Sequence, residues 1–206
     1  MKYANHFLLF SLFIVFFLGP LAFDLGIASI VDIEILFLFI LISSIFLHHK
    51  NSKIFKLSLA LLIIVLINNL LFDFNQSLFQ YALKILIIAL TIYELFKQIT
   101  QTKIIDAQII SGGISIYILI GIFWYLLFMI LITLNPNAFH FSSFDKSSAS
   151  VEMVYFSFIT LTTLGYGDIT PVSYTAKMWA VTEAITGVMY IAVMISRLVS
   201  LLRQKK

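Results

Sequence analysis

Six apolar stretches, at residues 7–23, 30–47, 54–72, 78–96, 114–134 and 174–202, dominate this chain of 206 residues. The first five are close to the roughly 20 residues an α-helix needs to cross a bilayer core about 30 Å thick, and the last, at 29 residues, is longer. Inside hydrocarbon every backbone N–H and C=O must find its partner within the protein, so such runs are restricted to helices. Composition agrees, with hydrophobic residues at 61%, charged residues at 11% and a mean hydropathy of +1.05. A soluble domain carries roughly 25% charged residues. The expected fold is therefore all-α, a membrane protein with six transmembrane helices. No cysteine is present, which excludes disulfides and thiolate metal sites.

The loops fix an orientation. His48-His49-Lys50-Asn51-Ser52-Lys53 is basic, whereas the loops holding Asp24 and Asp73 carry no Lys or Arg. By the positive-inside rule the basic loop is cytoplasmic and the acidic ones face outside. Ten of the 13 Lys and Arg then fall on or near the cytoplasmic face, and both termini are cytoplasmic in a multi-pass protein of the cell membrane. The first run lacks a small-residue cleavage signature and is read as a retained helix rather than a signal peptide. Residues 97–110 mix polar and apolar positions, as a helix lying on the membrane surface does, with Gly112-Gly113 as a bend into the fifth span.

A seventh apolar stretch, 151–162, is too short to cross and suits a re-entrant helix. It runs into Thr162-Thr163-Leu164-Gly165-Tyr166-Gly167-Asp168. Two glycines alternating with larger residues let the backbone adopt conformations closed to other residues, so that successive carbonyls can face one axis. Copies of such a segment around an axis make oxygen cages fit for a desolvated cation.

This heptapeptide resembles the selectivity-filter signature of potassium channels. At ordinary residue frequencies a fixed seven-residue match has a chance probability on the order of 10⁻⁸ or less. The resemblance extends over roughly residues 105–202 to the small bacterial-type pore-loop channels, including Tyr155-Phe156-Ser157-Phe158 and Ile169-Thr170-Pro171. It implies an outer helix, a re-entrant pore helix, a filter loop and an inner helix, assembled as a four-fold homotetramer that passes K⁺. Carbonyls of Thr163, Leu164, Gly165 and Tyr166 would form the K⁺ sites. Thr162 and Gly167 would support the filter, and Asp168 would stand at its outer mouth. The other implied partners are membrane lipid and further copies of the chain; K⁺ is the permeant ion, with no cofactor and no nucleic acid.

Three further residues carry expectations. Tyr155 stands at the offset from which a pore-helix aromatic bonds the filter aspartate in related channels, or it simply packs. Gly187 matches the family's gating hinge glycine in the inner helix, with close helix packing as the other reading. Glu183 is an ionisable residue within a span, expected to brace the pore helix or filter, or to be an acid kept protonated by burial.

The first four runs resemble the sensor half of voltage-gated channels, giving domains at 1–98 (sensor-like), 99–113 (interfacial linker helix) and 114–206 (pore). A voltage-sensing helix carries Arg or Lys at every third position, whereas the fourth run has only Lys84 inside it and Lys97 at its end. Lys84 is expected to pair with Glu34, and voltage dependence to be weak or absent. The chain ends soon after the sixth run, so gating is expected in the filter, at 199–203, in the lipid or in a partner. The alternative function is a non-conducting membrane subunit or sensor. Scattered carboxylates and histidines offer no convergent acid, base or nucleophile, so enzymatic activity is not expected.

Overall fold

The computed structural model describes residues 4–25, 30–47, 52–71, 78–102, 106–141 and 149–203, with side chains described for all of these except 22–24, 30–37, 52, 70–71 and 201–203. The Glu34 side chain, His48-His49-Lys50, Asp73 and residues 204–206 lie outside that description. In chain order the described elements are α1 (Ala4–Asp24), α2 (Ile30–Leu47), α3 (Ser52–Leu71), α4 (Leu78–Gln101), α5 (Ala107–Leu134), β1 (Phe139–Phe141), α6 (Ala149–Leu161), β2 (Ile169–Pro171) and α7 (Tyr174–Arg203). The protein is thus mostly helical, with one short two-stranded ribbon that the all-α expectation lacks. Among the described residues four helices are long and apolar enough to cross a membrane: Ala4–Leu21, Leu78–Gln101, Ala107–Leu134 and Tyr174–Ser200.

Two compact units divide the chain, and α5 contributes to both, its residues up to Ile118 to the first and those from Leu119 to the second. The first unit is stitched by polar side chains. Ser11 and Ser43 share a buried hydrogen bond of 2.7 Å between α1 and α2. Between α3 and α4, Gln80 Nε2 donates to Asn68 Oδ1 at 2.8 Å and to Asn69 Oδ1 at 2.6 Å. Such pairs hold helices together where lipid removes the hydrophobic drive for association. One face of α4 supplies Gln80, Lys84, Thr91 and Glu94 to the interior at helical spacing.

The junction between α4 and α5 differs from expectation. α5 is a single helix from Ala107, capped by Asp106, whose Oδ1 accepts from Ile109 N at 2.9 Å. Gly112-Gly113 lies inside it, so residues 107–113 share one helix with the fifth apolar run rather than forming a separate linker helix. Gly112 serves close packing. A Cβ at Gly112 would lie 3.0 Å from Asn5 Nδ2 and 3.6 Å from Leu95 Cδ2. Asn5 uses that space to donate to Gln108 O at 3.0 Å.

In the second unit α5 ends at a turn in which Ala138 N donates to Asn135 O at 2.9 Å. β1 then pairs antiparallel with β2, with Phe139 opposite Pro171, His140 opposite Thr170 and Phe141 opposite Ile169. Buried Phe128, Phe139 and Phe156 meet edge to face with centroids 5.2–5.6 Å apart, joining α5, β1 and α6. Edge-to-face pairs contribute about 0.5–1.5 kcal/mol each beyond area burial, which matters where lipid weakens the hydrophobic term. Ser173 Oγ caps α7 by accepting from Ala176 N at 3.1 Å.

Candidate functional site

α6 is 13 residues long and ends at the glycine-bearing segment. Its last turn closes with two bonds: Thr163 N donates to Thr160 O at 2.9 Å, and Leu164 N to Ile159 O at 2.8 Å. This 5→2 and 6→1 pair is a Schellman cap, and it requires the donor of the 5→2 bond to be left-handed. Here that residue is Thr163, with φ of +59°, where glycine is usual. Left-handed backbone costs a residue with a Cβ roughly 1–2 kcal/mol. Strain of this kind collects at functional sites.

The left-handed conformation then recurs at every second residue, at Gly165 with φ +53° and Gly167 with φ +84°. In a β-strand successive carbonyls point to opposite sides. Reversing the handedness of alternate residues turns successive peptide planes in step, so that their carbonyls can line one side. Neither glycine has a heavy atom within 4 Å of a built Cβ, so backbone conformation rather than crowding calls for glycine there. Residues 162–167 are exposed in the single chain, Tyr166 at 68% and Leu164 at 56%. Irregular backbone at membrane depth persists only where protein or a water-filled cavity surrounds it.

At the far end the segment is held by α6 itself. Tyr155 Oη donates to Asp168 Oδ2 at 2.7 Å. That bond, with desolvation and the negative charge of Asp168 acting in the same direction, pushes the Tyr155 phenol up to about 12. β2 follows at once, and past it Val172 N donates to Ala138 O at 2.8 Å. The segment is therefore anchored by a helix cap below and by a strand pair above.

Behind α6 stands α7. Glu183 is fully buried, and its Oε1 lies 2.5 Å from Ser157 Oγ. The same hydroxyl oxygen lies 2.8 Å from Gly121 O of α5. One turn further along both helices, a Cβ at Gly187 would overlap the Leu161 carbonyl oxygen. On the α5 side, a Cβ at Gly121 would come within 2.5 Å of the Phe158 ring. Glycine at 121 and at 187 permits this close approach, and α7 runs through Gly187 as one helix.

Other residues raised by the sequence are elsewhere. Lys84 is buried in the first unit with its Nζ 5.8 Å from the centroid of the Tyr81 ring; its expected partner Glu34 lies outside the described side chains. His140 lies on the exposed position of β1. Sequence reasoning gave no role to Ser157, Gly121 or the β1–β2 ribbon. Small residues beside an aromatic-rich helix, as at Gly121, were the available signal for the first two.

Among the described residues no group of three or more His, Cys, Asp or Glu could hold a metal ion. Residues 114–204 match a family model described as ion channel. The matched stretch contains most of α5, all of α6, the glycine segment and α7, and it supports ion conduction across a membrane. No curated protein and no solved structure matches the chain.

Proposed function

We propose that this chain is the subunit of a potassium-selective channel in the cell membrane, in which residues 162–168 form the filter. The carrying observation is the left-handed alternation at Thr163, Gly165 and Gly167 within the sequence Thr-Thr-Leu-Gly-Tyr-Gly-Asp. Thr163, Leu164, Gly165 and Tyr166 supply the carbonyls that replace the hydration shell of K⁺. Thr162 and Gly167 set the backbone at either end, and Asp168 stands at the outer mouth. A ring of such carboxylates raises the local cation concentration. α6 directs its carbonyl end toward the ion path, where the helix dipole favours a cation.

One glycine segment cannot enclose an ion, and in the single chain it is exposed. Four copies around a common axis give the segment the protein surroundings that irregular backbone needs in a membrane. α1 to α5 and α7 are the six spans of each subunit, with both termini cytoplasmic. Passage is passive, with K⁺ moving between adjacent sites and no covalent step. Gating is weakly or not voltage-dependent, because α4 brings a single interior lysine. In the pore, Gly187 is also the point at which α7 can bend.

The test is uptake of ⁸⁶Rb⁺ or K⁺ into liposomes that contain the purified protein, with Na⁺ competition and Ba²⁺ block. Selective uptake blocked by Ba²⁺ is expected. Protein that is folded and tetrameric yet passes no K⁺ at any voltage, pH or membrane tension would instead be a non-conducting subunit or sensor.

A further inference from the structure

Ser157 has one hydroxyl proton and stands within hydrogen-bond distance of two oxygens, Gly121 O at 2.8 Å and Glu183 Oε1 at 2.5 Å. An ionised carboxylate and a carbonyl are both acceptors only. If Glu183 were ionised, the single proton would serve one of them and leave the other contact as two lone pairs facing each other. The buried charge would also lack support at its second oxygen, since Glu183 Oε2 has no hydrogen-bond partner among the described residues. A neutral carboxylic acid removes both difficulties. Its own proton goes to Ser157 Oγ, freeing the Ser157 proton for Gly121 O. The atom left over is then a neutral carbonyl oxygen, which tolerates missing a partner far better than a charged one.

We infer that Glu183 is held as the neutral acid and donates to Ser157, which donates to the Gly121 carbonyl, a two-step relay fastening inner, pore and outer helices together behind residues 162–168. The relay belongs to a larger contact. Ser157 and Leu161 are one turn apart on α6, as are Glu183 and Gly187 on α7, so the two pairs meet in register along one seam. The upper pair is joined by the proton relay, and the lower pair by direct packing of Gly187 against the Leu161 carbonyl. Leu161 is the last residue of α6. A displacement of α7 along this seam is therefore delivered to the first residue of the glycine segment. Glu183 acts as a positioning residue for that segment rather than as an ion ligand.

The inference rests on the channel reading for its functional arm only, and the test separates the two. Purified full-length protein in lipid is compared by infrared difference spectroscopy with Glu183→Gln, Ser157→Ala and Ser157→Thr. The carbonyl stretch of a buried, hydrogen-bonded carboxylic acid is expected in the wild type. It should be absent in Glu183→Gln, shifted in Ser157→Ala and close to wild type in Ser157→Thr. Absence of that band from the wild type, or its indifference to Ser157→Ala, overturns the relay whether or not the protein conducts.

In the flux assay Glu183→Gln still donates to Ser157 and is expected to keep K⁺ over Na⁺ selectivity within about twofold, the effect of a replaced but equivalent donor. Glu183→Leu, which donates nothing, is expected to lower selectivity about tenfold. Equal selectivity in the Leu and Gln variants, with both folded, overturns the positioning role. A wild type that shows the acid band but passes no ion leaves the relay standing and removes the channel reading alone.

Discussion

Tyr155 and Asp168, 13 residues apart, are joined by a 2.7 Å hydrogen bond that ties the middle of α6 to the outer end of the glycine segment. The bond closes a loop whose other side is the Schellman cap at Thr163. Its removal should loosen the outer end first. Tyr155→Phe is expected to fold normally and to lose sustained K⁺ flux on the order of tenfold faster than wild type. Tyr155→Trp, which keeps an N–H donor, should lie between them. Equal flux time courses for wild type and Tyr155→Phe would mean that the ring only packs.

The same bond sets a pH limit. The Tyr155 phenol is pushed up to about 12 from an ordinary 10.0, first by its bond to Asp168. A raised value means that folding favours the protonated donor, so the contribution is complete below about pH 10 and is lost as pH climbs toward 12. The difference between wild type and Tyr155→Phe should stay constant up to about pH 10 and shrink away as pH climbs toward 12. Convergence of the two well below pH 10 contradicts the assignment.

Gly165 and Gly167 predict a purely conformational effect. Nothing lies within 4 Å of a built Cβ at either, so alanine meets no clash there in the single chain, but it must hold positive φ. Each substitution costs about 1–2 kcal/mol per chain in the left-handed state. Gly165→Ala should therefore abolish selective flux, and D-alanine at the same position, which prefers positive φ, should restore it. Failure of D-alanine together with an intact fold would show that space rather than handedness matters.

Gly187 and Gly112 both lie in helices but differ in what faces them. A methyl at Gly187 overlaps the backbone oxygen of Leu161, which cannot rotate away. Overpacking of this kind costs about 1–3 kcal/mol. A methyl at Gly112 meets the flexible end of Asn5 at 3.0 Å and should cost less. Thermal unfolding in detergent is expected to rank Gly187→Ala below Gly112→Ala, and the reverse order would refute the seam between α6 and α7.

Voltage sensing should be weak. Strongly voltage-gated channels move about three to four charges per subunit, each worth about 2.3 kcal/mol per 100 mV. α4 contributes Lys84, which is buried, in its interior and Lys97 near its end. Conductance of purified protein in planar bilayers is expected to change little with voltage, and Lys84→Gln should leave that shallow dependence unaltered. A steep conductance–voltage relation in the wild type would overturn this.

Legibility in the sequence follows the kind of signal each element carries. Helices α2 and α7 lie where the apolar runs 30–47 and 174–202 put them, because span length is imposed by bilayer thickness. The short helix before Thr162 is likewise legible from its length. Gly112-Gly113 is ambiguous in sequence, since a glycine pair signals a bend and close packing equally well, and the packing at Gly112 shows only once Asn5 and Leu95 are in place. The Ser157–Glu183 pair is hidden because helical periodicity assigns each residue a face without saying which faces meet. β1 and β2, at three residues each, are too short to show alternation.

The β1–β2 ribbon gives the glycine segment a second fixed end. Below, Ile159 O receives the amides of both Leu164 and Gly165, at 2.8 and 3.1 Å. Above, Phe141 pairs with Ile169 directly after Asp168. A segment clamped at both ends yields first in its middle, around Gly165-Tyr166-Gly167. Interruption of conduction there needs no helix to move, so the proposed pore could flicker on the fast time scale of a few peptide rotations while its walls stand still.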